Sequence, residues 1–498
     1  MTEALPTGPK PSGGGRTSRT VALALISLAQ LMITLDSTIV SVALPSMQSA
    51  VGLSDTGRQW AVTSYTLAFG GLLLIGGRLG DLIGRKRAML IGVAGFALAS
   101  ALGGAASSAT MLISARALQG VFAALIAPST LALITTTFTE PRERAKALGV
   151  YTASAMSGGA IGLVVGGALT DYLGWRWCLY VNVPIAVVVL LGATTLTAGA
   201  RSRTGARLDL PGAALCSLGM LALIYGLGEA TTYGWGSVQI IGALLASAVL
   251  LTAFILWQRR AAHPLLPLRV LTNRNSAASF LALMISAFCT FGMLLGMTYQ
   301  LQTVMGYSPL KTGLAFLGYV GTAVVFSTQV ARRLVARMRL GVMMAAGLVM
   351  FCLGLLSLVR LGPDATYPTE VLPALLLFGI GVGTLTVPAM TVVMSVTEAR
   401  DSGVVSAIVN TAQQAGGSVG ATVQNTISLS AAAGYLAARH GDPAAEVSAS
   451  VHGFVVASVA SAGLALVGAL IAVFAINAQQ PKPAHEPDPG RETVPAGR

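Results

Sequence analysis

The sequence predicts an all-α protein that crosses a membrane many times, and three observations lead to this fold class. Hydrophobic residues make up 54% of the 498 residues and charged residues only 10%, which is too little charge to cover a soluble protein of this length. Apolar runs of about 20 residues, the length of a membrane-spanning helix, recur along nearly the whole chain. The basic residues behind the net charge of +13 lie in short clusters between these runs. Membrane topology therefore explains the charge better than a nucleic-acid partner does.

The apolar runs predict fourteen transmembrane helices with both chain termini in the cytoplasm. This topology places 25 lysine and arginine residues inside and 5 outside, which is the bias expected of cytoplasmic loops. The predicted spans are 21–44, 60–79, 88–106, 110–136, 145–170, 177–197, 208–228, 237–257, 277–304, 310–331, 340–360, 370–395, 402–430 and 451–475.

The first six and the last six spans look like two copies of one unit, with spans 7 and 8 inserted between them. Both copies carry small residues at positions i, i+4 and i+8, a stripe that lets two helices approach closely in lipid. These are Gly158, Gly162 and Gly166 in span 5, and Ala412, Gly416 and Gly420 in span 13. The predicted domains are a disordered cytoplasmic N-terminus (1–19), an N-terminal six-helix bundle (20–200), the two inserted helices (201–262), a C-terminal six-helix bundle (263–477) and a disordered cytoplasmic tail (478–498).

Residues 77–87, between spans 2 and 3, carry five charges, four of them basic, which predicts a short cytoplasmic hairpin loop. Asp81 precedes Arg85 by four residues, so the two side chains can pair within one helical turn. The spacing resembles the G-x-L-x-D-x-x-G-R-K signature of the major facilitator superfamily, here Gly77, Asp81, Gly84, Arg85 and Lys86 with Leu79. The resemblance implies two six-helix bundles around a central cavity, and it makes these residues a latch between the two halves of a transporter.

Two charged residues lie deep in predicted spans, Asp36 in span 1 and Arg116 in span 4. A charge inside the bilayer costs ~2.5–3.5 kcal/mol on insertion scales, so each is a functional candidate. Asp36 is either a permanently ionised partner of Arg116, a hydrogen-bonding group that packs helices together, or a site that loads and releases a proton. It can also attract a cationic substrate. Arg116 either shifts the pKa of that proton site or extends its charged end toward the membrane–water interface.

The sequence around both residues is similar to the fourteen-span drug:proton antiporter branch of the superfamily. Asp36 lies in an L-D-x-T-x-V-x-x-A-L-P match and Arg116 in an R-x-x-Q-G match, for which the resemblance implies proton coupling and substrate interaction. Span 5 resembles the antiporter signature, with Leu163 where the branch has proline. The resemblance implies an exporter of hydrophobic drugs or antibiotics that works by alternating access, with a helix-packing hinge at Gly158, Gly162, Gly166 and Gly167. Leu163 keeps a second hypothesis open, a proton-coupled uptake symporter on the same fold.

Several amides in the spans either join helices through hydrogen bonds or line a cavity. They are Gln119, Asn410, Gln413, Gln414 and Asn425. The four cysteines show no C-x-x-C pair, so we expect neither a metal site nor a disulfide. No nucleotide-binding loop motif occurs, and the loops are too short for a catalytic domain, which argues against an enzyme.

The expected partners are therefore a hydrophobic or cationic small molecule, protons and the lipid bilayer. We expect no nucleic acid and no cofactor, because the proton gradient supplies the energy. The resemblance implies a monomer that spans the cytoplasmic membrane of a bacterium several times.

Overall fold

A computed structural model describes residues 16–138, 140–193, 209–261, 272–335, 337–362, 364–395, 402–439 and 445–476. These residues form eighteen α-helices and a few shorter turns, and none of them lies in a strand. The helices are α1 (Arg16–Val51), α2 (Asp55–Ile83), α3 (Arg85–Gly104), α4 (Ala109–Thr137), α5 (Pro141–Tyr172), α6 (Trp177–Tyr180), α7 (Asn182–Gly192), α8 (Leu210–Gly228), α9 (Ala230–Tyr233), α10 (Val238–Arg260), α11 (Arg274–Tyr299), α12 (Pro309–Ala315), α13 (Leu317–Val325), α14 (Ala331–Val335), α15 (Leu340–Ser357), α16 (Leu372–Ser395), α17 (Ser402–Ala438) and α18 (Glu446–Ala475).

Ten helical segments of the described chain are long and apolar enough to cross a membrane. Several begin at a serine whose hydroxyl accepts a hydrogen bond from the backbone of the first turn, among them Ser54 before α2 and Ser108 before α4, which is the usual N-cap chemistry. The predicted single span 310–331 is divided into α12, α13 and a π-helical turn at Phe326–Val330. Helix α1 begins at Arg16, before the predicted domain boundary at residue 20. Residues 1–15 of the predicted disordered N-terminus and all of the predicted tail, 478–498, lie outside the described residues.

The predicted loop at residues 77–87 is wrong. Helix α2 continues through Gly77 and Asp81 to Ile83, and α3 begins at Arg85. Only Gly84 separates the two helices, and its φ of 96° is a backbone conformation that favours glycine. Charged residues end the apolar part of a span without ending its helix, so the chain turns on one residue and not on eleven.

The helices pair in the same way in the two halves of the chain. In the N-terminal half α1 packs on α5, and α4 packs on both α2 and α3. In the C-terminal half α11 packs on α17, and α16 packs on both α13 and α15. We call these groups the N-terminal and the C-terminal bundle. The end of the bundles that carries Arg16 is called the terminal end, and the end that carries Val51 and Asp55 is called the far end.

The inserted helices α8 and α10 pack on each other beside the line where α2 of one bundle meets α17 of the other. Ser217 on α8 donates to the Gly71 carbonyl on α2 over 2.9 Å, and Thr426 on α17 donates to the Leu227 carbonyl on α8 over 3.0 Å. Asp209 joins the hairpin at its base, because its carboxylate accepts from Trp257 Nε1 at 2.6 Å and from Gln258 Nε2 at 2.7 Å. The hairpin is therefore attached to both bundles along a single seam.

Candidate functional site

Asp36 is fully buried in the N-terminal bundle, with 0% of its surface exposed. One carboxylate oxygen accepts from Arg116 Nη1 on α4 over 2.6 Å. The other accepts from Gln119 Nε2 over 3.0 Å and from Asn182 Nδ2 on α7 over 2.7 Å. Three donors therefore satisfy the hydrogen-bonding capacity of both carboxylate oxygens.

Arg116 is 1% exposed and is held from three further sides. Its Nε donates to the Ala61 carbonyl on α2 over 3.1 Å, and its Nη1 also donates to Gln119 Oε1 over 2.8 Å. Its guanidinium lies 4.4 Å from the centre of the Tyr65 ring, in a cation–π contact. Because a buried charge is tolerated only when it is paired and hydrogen-bonded, Asp36 and Arg116 depend on each other.

Gln119 belongs to this network, where it forms hydrogen bonds to side chains of two other helices. It is fully buried, and besides its bonds to Asp36 and Arg116 it donates to Ser100 Oγ on α3 over 2.7 Å. Its position three residues after Arg116 places both side chains on one face of α4. The same spacing in the R-x-x-Q-G match was the sequence signal that places the Gln119 side chain beside Arg116.

Three members of the network were not predicted as site residues, Tyr65, Ser100 and Asn182. All three are buried, and two of them retain one polar atom without a hydrogen-bond partner in the described part of the chain, Asn182 Oδ1 and the Tyr65 hydroxyl. An amide inside the predicted apolar span 177–197 was a usable signal for Asn182. Nothing in the sequence indicated that the Tyr65 ring covers Arg116. We call Asp36, Tyr65, Ser100, Arg116, Gln119 and Asn182 the buried polar network.

The same turns of α2 that contact this network also contact the C-terminal bundle. Arg58 Nη2 donates to Asn425 Oδ1 on α17 over 3.1 Å. Asn425 Nδ2 in turn donates to Gln59 Oε1 over 2.9 Å, and the hydroxyls of Thr66 and Ser418 form a further contact between α2 and α17. All of these contacts lie in the far half of α2. Ala61 and Tyr65, which lie between Gln59 and Thr66 in the sequence, face α4 and contact Arg116. Helix α2 therefore connects the network to the bundle interface.

The predicted hinge glycines lie at two different contacts. Gly158, Gly162 and Gly166 face α1, where a Cβ added at Gly162 would lie 2.8 Å from the Leu35 carbonyl oxygen. The stripe therefore packs on the turns of α1 that carry Asp36. Gly167 instead faces the other bundle, where an added Cβ would lie 2.7 Å from the Leu310 Cα atom on α12.

Leu163 lies at this second contact between the bundles. It is 2% exposed and packs with the apolar core of the C-terminal bundle. Gly313 on α12 approaches the same turn, since a Cβ added there would lie 3.0 Å from the carbonyl carbon of Leu163. Helix α5 is continuous from Pro141 to Tyr172, and Leu163 places an apolar side chain at the interface.

The remaining predicted residues are dispersed. Asn425 lines a cavity at the far end, whereas Gln414 packs over Gly70 on α2. Gln413 is half-buried and Asn410 is exposed. Of the predicted latch residues, Gly77 faces Pro128 on α4, and Gly84, Arg85 and Lys86 are half-buried at the terminal end. The side chain of Asp81 lies outside the described part of the structure.

Comparison with known proteins gives a consistent family. A family model described as the Major Facilitator Superfamily matches residues 26–421. The puromycin resistance protein pur8 of Streptomyces alboniger is 46% identical over 452 residues, which cover 90% of this chain and 90% of the relative. The cephamycin export protein CmcT of Amycolatopsis lactamdurans is 37% identical, covering 86% of this chain and 90% of the relative. The multidrug resistance protein Stp of Mycobacterium tuberculosis is 36% identical, covering 82% and 76%.

Solved structures share the fold at low sequence identity. A crystal structure of a bacterial homologue of the human lysosomal transporter Spinster, in an inward-facing and unoccupied conformation, has a TM-score of 0.67 and 17% identity. It covers 93% of this chain and 98% of that structure's chain. Tetrameric PepTSo2 gives a TM-score of 0.59 at 16% identity, covering 92% of this chain and 98% of the other.

Proposed function

This chain belongs to the Major Facilitator Superfamily, and from that membership we propose that it exports lipophilic antibiotics in exchange for protons. It is a transporter and not an enzyme, and it is a multi-pass protein of the bacterial inner membrane. The names of its relatives refer to puromycin resistance, cephamycin export and multidrug resistance. We propose uncharged or singly cationic lipophilic antibiotics as the substrates. We also propose that the chain has fourteen transmembrane spans with both termini in the cytoplasm.

The proposal of proton coupling rests on one observation, the fully buried ion pair of Asp36 and Arg116. Protonation of Asp36 would leave the Arg116 cation buried without a counter-charge, which costs several kcal/mol (~3–5). Proton loading must therefore accompany a rearrangement of the network. A group that can change its charge only when the protein changes conformation is what coupled transport requires.

Helix α2 is the element that links this rearrangement to substrate access. With cytoplasmic termini the far end is extracellular, so the contacts of Arg58, Gln59 and Thr66 with α17 close the outer side. Separation of α2 from α17 would also move the Ala61 carbonyl and the Tyr65 ring, which hold Arg116. Opening to the outside would then free Asp36 to take a proton, and outer closure would expel that proton inward. Each chain holds a complete network, which supports a monomer as the working unit.

The test is transport in everted membrane vesicles that contain the full chain, with radiolabelled puromycin and ethidium as probes. An imposed gradient, acid inside the vesicles, should drive accumulation above that of vesicles without the chain, and a protonophore should abolish it. Accumulation that is absent in everted vesicles but present in right-side-out vesicles would contradict export and favour uptake. Accumulation that survives the protonophore would contradict proton coupling.

A further inference from the structure

The carboxylate of Asp36 has one oxygen that can take a proton without facing a cation. Its Oδ2 lies 2.6 Å from Arg116 Nη1, so an O–H group formed there would point at the guanidinium charge. Its Oδ1 accepts from two amides, Gln119 Nε2 over 3.0 Å and Asn182 Nδ2 over 2.7 Å. A proton therefore belongs on Oδ1. Because the new O–H group is a donor, one of the two amides must then present its oxygen in place of its nitrogen.

Gln119 is held in its present orientation by its other bonds. Its Oε1 accepts from Arg116 Nη1 over 2.8 Å, and its Nε2 donates to Ser100 Oγ as well as to Asp36. A half-turn of this amide would give up these bonds and bring its N–H groups against the guanidinium, which can only donate. Gln119 therefore stays a donor to Asp36 in both charge states, since a protonated carboxyl oxygen retains acceptor capacity.

Asn182 has no such restraint. It is fully buried at the start of α7, and its Oδ1 has no hydrogen-bond partner in the part of the chain that the structure describes. A half-turn about its Cβ–Cγ bond exchanges the positions of its nitrogen and its oxygen, so the amide occupies the same space before and after. The turn places the Asn182 oxygen where its nitrogen now lies, 2.7 Å from Asp36 Oδ1.

Asp36 is the group in this network that changes its charge on acidification. Around it in the described chain are Arg116 on α4, Tyr65 on α2 and Cys178 on α6. Arginine stays protonated, and tyrosine and cysteine are ordinarily neutral at neutral and acid pH. The orientation of the Asn182 amide therefore depends on the protonation of a single carboxyl group.

We propose that Asn182 reverses its amide when Asp36 takes up a proton, and that it is a positioning residue that holds the carboxyl group in both charge states. The Asn182 N–H donates to the ionised carboxylate, and the new O–H of the protonated carboxyl donates to the Asn182 oxygen. Asp36 thus keeps its bond to α7 while Arg116, which has lost its counter-charge, can separate from it. The proposal rests on the proposed function, in which the proton comes from water outside and leaves to water inside.

The experiment follows the side-chain carbonyl of Asn182 by infrared spectroscopy of the purified full chain in nanodiscs. Asparagine is labelled with ¹³C at the side-chain carbonyl, and acid-minus-neutral difference spectra are recorded for the wild type and for Asp36→Asn. The Asn182 band is assigned by its loss in Asn182→Leu. Thermal unfolding identifies a variant that fails to fold, in which case Asn182→Thr supplies the assignment.

A carbonyl band moves to lower frequency when the oxygen accepts a hydrogen bond. We expect the Asn182 band to move in this direction on acidification, together with the appearance of a carboxyl band from protonated Asp36, and we expect neither change in Asp36→Asn. An asparagine that donates in both states would keep an unpaired oxygen and an unmoved band. An unmoved band beside the Asp36 carboxyl band, or a shift that persists in Asp36→Asn, would overturn the proposal.

Transport in everted vesicles gives a matched comparison of two amides that bind buried carboxylates. Asn182→Leu removes both the donor and the acceptor, and it should slow puromycin-driven proton release about tenfold, the effect of one hydrogen bond to an ionisable group. The control is Gln258→Met, because Gln258 Nε2 donates over 2.7 Å to Asp209 in the inserted hairpin. Gln258→Met should release protons at the wild-type rate. A wild-type rate in Asn182→Leu would overturn the proposal.

The infrared measurement uses neither substrate nor a proton gradient, so it separates the role of Asn182 from transport. Proton-driven export without reversal of the amide would overturn the role of Asn182 alone. Reversal without proton-driven export would overturn the proposed function and leave the reversal in place. Absence of the Asp36 carboxyl band at every pH at which the chain stays folded would overturn both.

Discussion

The two bundles share their helix pairing but differ in what they bury. In the N-terminal bundle the ion pair of Asp36 and Arg116 lies in the core, surrounded by amides and hydroxyls. In the described part of the C-terminal bundle the buried polar groups are hydroxyls and amides, without a buried charge. Both bundles use a glycine stripe, Gly158–Gly166 against α1 and Gly416–Gly420 against α11. The repeated packing therefore builds the fold, while among the described residues only the N-terminal copy buries an ion pair.

In the proposed function this difference gives the two halves separate roles. The N-terminal bundle would respond to a proton through the Asp36 carboxylate in its core. The C-terminal bundle would supply the surface against which α2 opens and closes, through Asn425 and Ser418. Coupling would then pass through one helix, α2, whose far half contacts both the network and α17.

The largest effect should follow from removing one partner of the buried pair. Arg116→Met leaves the Asp36 carboxylate buried without its counter-charge, and we expect a loss of ~3–5 kcal/mol in the free energy of unfolding. The double variant Asp36→Asn with Arg116→Met removes both charges and should recover most of that loss. Chemical unfolding in mixed micelles measures both. A double variant that is less stable than the single one would contradict the pairing.

The glycine stripes allow a matched comparison of the two bundles. Gly162→Ala places a Cβ 2.8 Å from the Leu35 carbonyl oxygen, and Gly420→Ala places one 2.5 Å from the Phe288 Cα atom. Overpacking of this kind should lower the free energy of unfolding by about 1–3 kcal/mol in each case. Only Gly162→Ala should also alter the pH dependence of transport, because Leu35 adjoins Asp36.

The control for both glycines is Gly242→Ala on α10, where nothing lies within 4 Å of an added Cβ. Its free energy of unfolding should change by less than about 1 kcal/mol, in the stabilising direction. If Gly162→Ala and Gly420→Ala changed the pH dependence of transport equally, the proposal that only the N-terminal bundle takes part in proton coupling would be contradicted.

A smaller effect is expected from two asparagines, one in each bundle. Asn182→Leu removes a donor to the buried Asp36 carboxylate and should lower the free energy of unfolding by about 1.5–3 kcal/mol. Asn425→Leu removes an acceptor from the half-buried Arg58, where solvent can compensate, and a donor to the buried Gln59 Oε1. It should cost less, about 1–1.5 kcal/mol, because the buried group that loses its partner is uncharged. The same unfolding measurement compares them, and the reverse order would contradict the account of the buried network.

Much of this organisation could be predicted from single residues. The cost of a charge in a bilayer singled out Asp36 and Arg116, and the spacing of small residues indicated where helices pack closely. The loop at 77–87 was predicted wrongly because charge marks the membrane surface but does not end a helix. For Gln119 the sequence left open whether it joins helices or lines a cavity, because a pattern within one helix does not show which side chains of other helices lie within reach. The role of Tyr65 depends on a contact between distant helices, which no local pattern reveals.

The most direct test of the central claim, that Asp36 couples proton movement to export, compares Asp36→Asn with Asp209→Asn in everted vesicles. Asp209 is the matched control because it is also a buried, hydrogen-bonded carboxylate, but it lies in the inserted hairpin outside the network. Proton release that accompanies puromycin addition is followed with a pH-sensitive dye at equal expression. We predict that Asp36→Asn abolishes substrate-driven proton movement and that Asp209→Asn retains it. Substrate-driven proton movement at the wild-type rate in Asp36→Asn would contradict the account.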